Sequence, residues 1–130
     1  KMITYIKYEV KVYSDGTKQW YLNGKLHRED KPAYEGSNGT KEWYLNDKLH
    51  REDGPAYEGS SGTKEWWLNG KRHREDGPAI ERSNGTKEWW LNDEKLTEEE
   101  HKKAMSSSST SCVEGKVVEI DGKKYKLIAT

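Results

Sequence analysis

Apolar and charged positions alternate along the first dozen residues. Ile6, Tyr8, Val10 and Val12 fall on one face, with Lys7, Glu9 and Lys11 on the other. A period of two predicts a half-buried strand, assigned to 2–13 as the element that starts and caps a sheet. From Ser14 the pattern becomes a block that recurs every 23 residues, opening at Ser14, Ser37, Ser60 and Ser83. The second block contains GTKEWYLNDKLHREDGPAYEG, beginning at Gly39. Periods of about 20–50 residues mark stacked supersecondary units, each too small to bury its apolar face alone. The units are 14–36, 37–59, 60–82 and 83–96, the last departing from the pattern after its hairpin.

Within a unit, Asn-Gly between two short alternating runs is a two-residue hairpin turn, because both positions need positive φ. With Asn69-Gly70 as the turn, Leu68 faces Lys71 and Trp67 faces Arg72. Continuing outward, Trp66 faces His73, Glu65 faces Arg74 and Lys64 faces Glu75. The same register in the second unit sets Glu42 against Arg51 and Lys41 against Glu52, and opposite charges across a ladder favour it. Asp53-Gly54-Pro55 then bends the chain, and Pro55 to Glu58 leads into the next unit. The predicted fold is mainly β: a single-layer antiparallel meander of stacked 23-residue hairpins, two strands per repeat.

Two further elements complete it. Thr97-Glu98-Glu99-Glu100 is a capping box opening a short helix over 97–105, with acids in its first turn and Lys102-Lys103 in its last, as the helix dipole prefers. This helix is expected to cover the end of the stack. Ser106 to Ser111 reads as a flexible linker. Asp121-Gly122 turns a terminal hairpin over 112–130, setting Val118 against Tyr125 and Glu119 against Lys124. An isolated hairpin is marginal, so it must dock on the array or on a second copy, which makes a homodimer through it a candidate assembly.

Composition sharpens the picture. Hydrophobic residues make up only 31% of the 130 residues and Phe is absent, yet there are 6 Trp and 8 Tyr, mostly at fixed spacing. Each aromatic buries roughly 150–250 Å², so a few per repeat replace the missing aliphatic core. The 23 Lys+Arg and 23 Asp+Glu cancel. A phosphate-binding surface needs uncompensated positive charge, so neither nucleic acid nor an anionic membrane is expected as a partner. No run approaches the roughly 18 apolar residues of a membrane helix. Nothing reads as a signal peptide, and Lys1 before Met2 reads as a non-native addition. One cysteine, Cys112, excludes an intramolecular disulfide and fits a reducing, cytoplasmic setting.

Enzyme chemistry finds no foothold. His27, His50 and His73 occupy equivalent positions two strands apart, roughly 10 Å at about 4.8 Å per strand, too far to share one zinc at about 2.0–2.1 Å per nitrogen. Each His is read instead as packing beside its Trp and satisfying the hairpin loop. His-Arg-Glu-Asp is copied three times into similar environments, whereas acid–base catalysis needs one tuned constellation. No phosphate loop, nucleophile elbow or Cys–His pairing is visible, and Cys112, beside a serine tract, reads as an inert thiol. No cofactor or metal is expected.

WYLNGKLHREDGPA resembles the MORN repeat, a 23-residue hairpin unit with a core of roughly Trp-x-Asn-Gly-Lys-x-His-Gly-x-Gly. Trp66, Asn69, Gly70, Lys71 and His73 match that core, while Arg74-Glu75-Asp76 stands where the family favours glycine. The resemblance covers residues 14 to about 96 and marks a divergent branch similar to repeats in phage and large-DNA-virus proteins. It implies a scaffold, a dimerisation surface or a lipid-binding surface. In a viral setting it implies a factor that binds and blocks a host defence protein.

Strand alternation divides the aromatics. Trp20, Trp43, Trp66 and Trp89 share one face with Leu22, Leu45, Leu68 and Leu91, all unchanged among the four copies, and this face is read as the core. Tyr21, Tyr44, Trp67 and Trp90 lie opposite, joined by Leu26, Leu49 and Arg72. Aromatics beside Leu and Arg have the make-up of an interface core, so these seven are the candidate partner-binding residues of a non-enzymatic protein-binding module. Packing of strand on strand, or cover by the helix and terminal hairpin, would account for them equally. A glycan- or cell-wall-binding aromatic repeat is the alternative function, and a scaffold or dimerisation module the second.

Overall fold

A computed structural model describes residues 5–109, 116–117 and 126–127. The chain forms two compact units, 1–95 and 96–130. The first unit is an antiparallel array of very short strands. Strands β1 (Glu9–Val12), β2 (Lys18–Leu22), β3 (Lys25–Leu26) and β4 (Tyr34–Glu35) carry the start and the first repeat. The second repeat supplies β5 (Lys41–Glu42), β6 (Tyr44–Leu45), β7 (Lys48–Leu49) and β8 (Tyr57–Glu58). The third supplies β9 (Lys64–Glu65), β10 (Trp67–Leu68), β11 (Lys71–Arg72) and β12 (Ile80–Glu81), followed by β13 (Lys87–Leu91) and β14 (Glu94–Leu96). One long sheet runs β1-β2-β4-β5-β8-β9-β12-β13-β14, with β3 paired to β2, while β6-β7 and β10-β11 form separate two-stranded tips. The array is the expected mainly-β meander of hairpins.

The tips form as the turn chemistry dictates. Asn46-Asp47, Asn69-Gly70 and Asn92-Asp93 all hold positive φ, between 50° and 79°, the geometry that matches strand twist in a two-residue turn. Trp67 faces Arg72 and Leu68 faces Lys71, as Tyr44 faces Leu49 and Leu45 faces Lys48. The His73 N–H donates to the Trp66 carbonyl at 3.0 Å, closing the tip.

Beyond that bond the expected register fails. Glu65 faces Tyr57 and Ile80 instead of Arg74, and Lys64 faces Glu58 and Glu81 instead of Glu75. Likewise Glu42 faces Tyr34 and Tyr57, and Lys41 faces Glu35 and Glu58, in place of Arg51 and Glu52. The cause lies in the two edges of Trp43 and Trp66. The Trp43 N–H donates to the Ala56 carbonyl at 2.8 Å while its own carbonyl accepts from His50 at 3.0 Å. The chain then leaves its hairpin, because the Arg51 N–H donates to the Trp67 carbonyl of the next repeat at 3.1 Å. A middle repeat therefore gives two strands to the long sheet and two to a tip, rather than two in all.

The core is built from small residues. Ala33, Ala56 and Ala79 are fully buried, with Ile80, Trp43 and His27 close behind. The expected Trp–Leu core is realised fully only at Trp43; Trp20, Trp66, Trp89 and the four leucines are half-buried. The first strand also differs from expectation. Its apolar face is open, with Ile6 at 51%, Val10 at 44% and Val12 at 65% exposure. Among the described residues strand β1 pairs with β2 alone.

In the second unit, helix α1 spans Glu98–Ser109. Its capping box is complete: the Glu100 N–H donates to Thr97 Oγ1 at 3.1 Å and the Thr97 N–H donates to Glu100 Oε1 at 2.9 Å. The helix outlasts its expected end at 105 and absorbs Ser106–Ser109 of the supposed linker, so Lys102 and Lys103 sit mid-helix. Serine costs well under about 1 kcal/mol per helical position, and no Gly or Pro stops the chain there. Strands β15 (Lys116–Val117) and β16 (Lys126–Leu127) pair Lys116 with Leu127 and Val117 with Lys126. This is the same register as the expected Val118–Tyr125 and Glu119–Lys124 pairs, which lie outside the described residues, as do Cys112 and Asp121-Gly122. Among the described residues no helix is long and apolar enough to cross a membrane.

Candidate functional site

Each hairpin is fastened to the next by side chains that the single repeat does not explain. The N–H of Asn46 donates to His27 Nδ1 at 3.0 Å, that of Asn69 to His50 Nδ1 at 2.9 Å, and that of Asn92 to His73 Nδ1 at 3.0 Å. An Nδ1 that accepts carries no proton, so each ring is the Nε2–H tautomer and donates to Glu29, Glu52 or Glu75 at 2.6, 3.4 and 3.2 Å. The histidines thus satisfy the loop of the following repeat, not their own. Asp47 and Asp93 add a second fastener: Asp47 Oδ1 accepts from the Leu26 N–H at 2.7 Å while the Asp47 N–H donates to the Leu26 carbonyl at 2.9 Å.

The arginine of each His-Arg-Glu-Asp covers a tryptophan. The guanidinium carbons of Arg28, Arg51 and Arg74 lie 3.8, 4.0 and 3.8 Å from the ring centres of Trp20, Trp43 and Trp66. Arg51 also donates through Nε to Asp53 at 3.0 Å and through Nη1 to the Pro55 carbonyl at 3.0 Å and Glu58 at 3.3 Å. The room for this comes from glycine, since a Cβ on Gly54 would meet Arg51 Cζ at 3.0 Å. Histidine, arginine and glutamate thereby have joint structural duties in all three copies, joined by the aspartate in the second and third. Among the described residues no group of three or more His, Cys, Asp or Glu is placed to hold a metal ion.

The seven candidate residues come together along the tips. Tyr21 faces Leu26, Tyr44 faces Leu49 and Trp67 faces Arg72. All seven, Trp90 included, are half-buried, neither sealed inside the chain nor fully open. The polar ends of the four aromatics are held in one repeated way, by the residue two positions earlier in the chain. The Tyr21 hydroxyl donates to Gln19 at 2.6 Å and the Tyr44 hydroxyl to Glu42 at 2.7 Å. The indole Nε1–H groups of Trp67 and Trp90 donate to Glu65 at 3.0 Å and Glu88 at 3.1 Å. Arg82 in turn donates to Glu88 at 2.7 Å, and that hydrogen bond holds the Glu88 carboxyl below its ordinary range. These anchoring residues went unread in the sequence, although an acid or amide two places before each aromatic was the available signal.

Arg72 stands where the first two repeats have leucine, and the fourth has Lys95. Its guanidinium lies 4.6 Å from the Trp67 ring centre and 4.9 Å from that of Trp90, and its buried Nε has no hydrogen-bond partner. The cation–π contact expected with Trp67 is present and extends to the next repeat.

Burial, then the hydrogen bond to Glu42 and its charge, raise the Tyr44 phenol above the usual 10.0. A raised folded value means the native state keeps a proton that the unfolded chain releases. That contribution is whole below pH 10 and is lost as pH climbs above it. Stability is therefore expected to fall above pH 10 by at most about 1.4 kcal/mol per pH unit more in the parent than in Tyr44→Phe. Urea midpoints across that range measure it, and parallel curves would refute it.

The chain matches no protein-family model, no curated protein and no solved structure.

Proposed function

We propose that the array is a non-enzymatic protein-binding module whose working face is Tyr21, Tyr44, Trp67 and Trp90 with Leu26, Leu49 and Arg72. The carrying observation is the anchoring of four consecutive aromatics by the residue two places earlier. Rings already fixed in the free protein lose little side-chain entropy on binding, which raises affinity without added area. Arg and Trp, stacked together at Arg72, are the residue types that dominate interface energies. A glycan would need bare, evenly spaced indole faces, and Arg28, Arg51 and Arg74 already cover one face of Trp20, Trp43 and Trp66. The likeness of the repeats to those of viral proteins directs the search to a host protein, held and blocked.

The test is capture from host lysate by the parent and by Tyr44→Ala/Trp67→Ala, both checked for native circular dichroism. One protein retained in stoichiometric amounts by the parent is expected, with affinity at least about 30-fold weaker in the variant if each ring is worth about 1 kcal/mol or more. Equal capture by both would move the site elsewhere, and no capture would reject the protein-binding reading.

A further inference from the structure

On the strand face opposite the aromatic row, two grooves recur at the period of the repeat. The first, of about 380 Å³, has a floor of Trp43 and Leu45 beneath Glu29, Asp30, Glu52 and Asp53. The second, of about 640 Å³, repeats this 23 residues on, with Trp66 and Leu68 beneath Glu52, Asp53, Glu75 and Asp76. Both volumes fall in the range of ligand clefts, about 300–1,000 Å³. They share Arg51, Glu52 and Asp53 and so adjoin. None of the seven residues of the aromatic row lines either one.

The grooves carry a surplus of negative charge. Each has four carboxylates, and the arginines present are divided among several acids: Arg51 between Asp53 and Glu58, Arg74 between Asp76 and Glu81. Among the described residues Glu52 and Glu75 pair only with the Nε2–H of His50 and His73, and their side chains are 83% and 71% exposed. The complementary ligand is cationic, and the spacing says how its charges are arranged. Each repeat adds two strands to the long sheet, so equivalent points on successive repeats lie about 9–10 Å apart at 4.7–4.9 Å per strand. A β-strand ligand returns to the same face every second residue, about 6.6 or 13 Å, and misses that interval. A polyproline II helix returns every third residue, about 9.3 Å, and matches it.

We infer that this trough binds a basic segment in polyproline II conformation, with Arg or Lys at every third position, one cation between the acid pairs of each groove. Arginine is the better fit, because its fork engages carboxylates in pairs.

The experiment titrates the full chain with acetyl-(Arg-Pro-Pro)₄-amide, read by tryptophan fluorescence and calorimetry. A control peptide has the same composition with its four arginines adjacent. The spaced peptide is expected to bind at least tenfold more tightly than the control. Glu52→Gln/Glu75→Gln should weaken it at least tenfold, since the amide oxygens still accept from His50 and His73 but carry no charge. Asp30→Asn, remote from those bonds, should weaken it severalfold, and both variants should keep the parent's thermal midpoint. Equal affinity of the control peptide, displacement by equimolar spermidine, or indifference to the substitutions would reduce the trough to general charge attraction and overturn the assignment. So would tighter binding of a helical peptide with Arg at every seventh position, about 10.5 Å apart, or the absence of binding altogether.

Discussion

Trp43→Ala is expected to cost about 3–5 kcal/mol, the usual loss when a large buried aromatic becomes a cavity. Trp43 is the one indole of the array that is essentially covered, at 9% exposure. Its backbone bonds to Ala56 and His50 would survive the change, so the loss is that of the ring and of the Arg51 guanidinium stacked 4.0 Å above it. The position magnifies the effect. In a stacked array each repeat is stable largely through its neighbours, and the second repeat joins the first to the third. Against a total of about 5–15 kcal/mol for a small domain, that is a large share of the stability. Urea unfolding followed by circular dichroism measures this, with Trp20→Ala, at the half-buried first position, expected to lose visibly less. A Trp43→Ala protein within 1 kcal/mol of the parent would show that the alanine seams alone hold the array.

His27→Ala has the second largest expected effect, about 1–3 kcal/mol, because it strands the Asn46 N–H. His27 is 6% exposed, so water cannot readily replace its Nδ1. His50 and His73 make the same bonds at more open sites, so their alanine variants should lose less. The discriminating substitution is His27→Asn, whose amide oxygen reaches about where Nδ1 does. Partial recovery relative to Ala identifies the inter-repeat hydrogen bond as the source of the stability. Asn no better than Ala would assign the loss to packing instead.

Much of the fold was legible because the information is local and repeated. Asn-Gly and Asn-Asp demand positive φ at both turn positions, so the tips and the facing pairs Trp67–Arg72 and Tyr44–Leu49 followed from spacing alone. Thr97 and Glu100 announced the helix start for the same reason. The outer register did not follow, because charge matching is degenerate in this chain: Lys64 meets an opposite charge whether it faces Glu75, as expected, or Glu58 and Glu81, as found. The fastening role of histidine was out of reach for a different reason. Its partner lies 19 residues downstream in another hairpin, and reasoning within one hairpin never brings the two together. The alanines were missed because Pro-Ala after a turn looks like connection, yet the tight seam between repeats admits nothing larger at Ala33, Ala56 and Ala79. The aromatic row was found by alternation, whereas the acid-lined trough exists only once two successive repeats are stacked.

The bonds between repeats all span a fixed count of residues: His27 to Asn46, His50 to Asn69 and His73 to Asn92 are each separated by 19 positions. Excision of 37–59 would leave His27 the same distance from the asparagine that then follows it, and duplication of that block would do likewise. A slip of any other size between a histidine and the asparagine that follows it would part its Nδ1 from the N–H that donates to it. Genetic change in this chain is thus quantised. Its length can change by whole repeats, lengthening or shortening both the aromatic row and the acidic trough in step, whereas a smaller insertion between a histidine and its asparagine breaks a fastener.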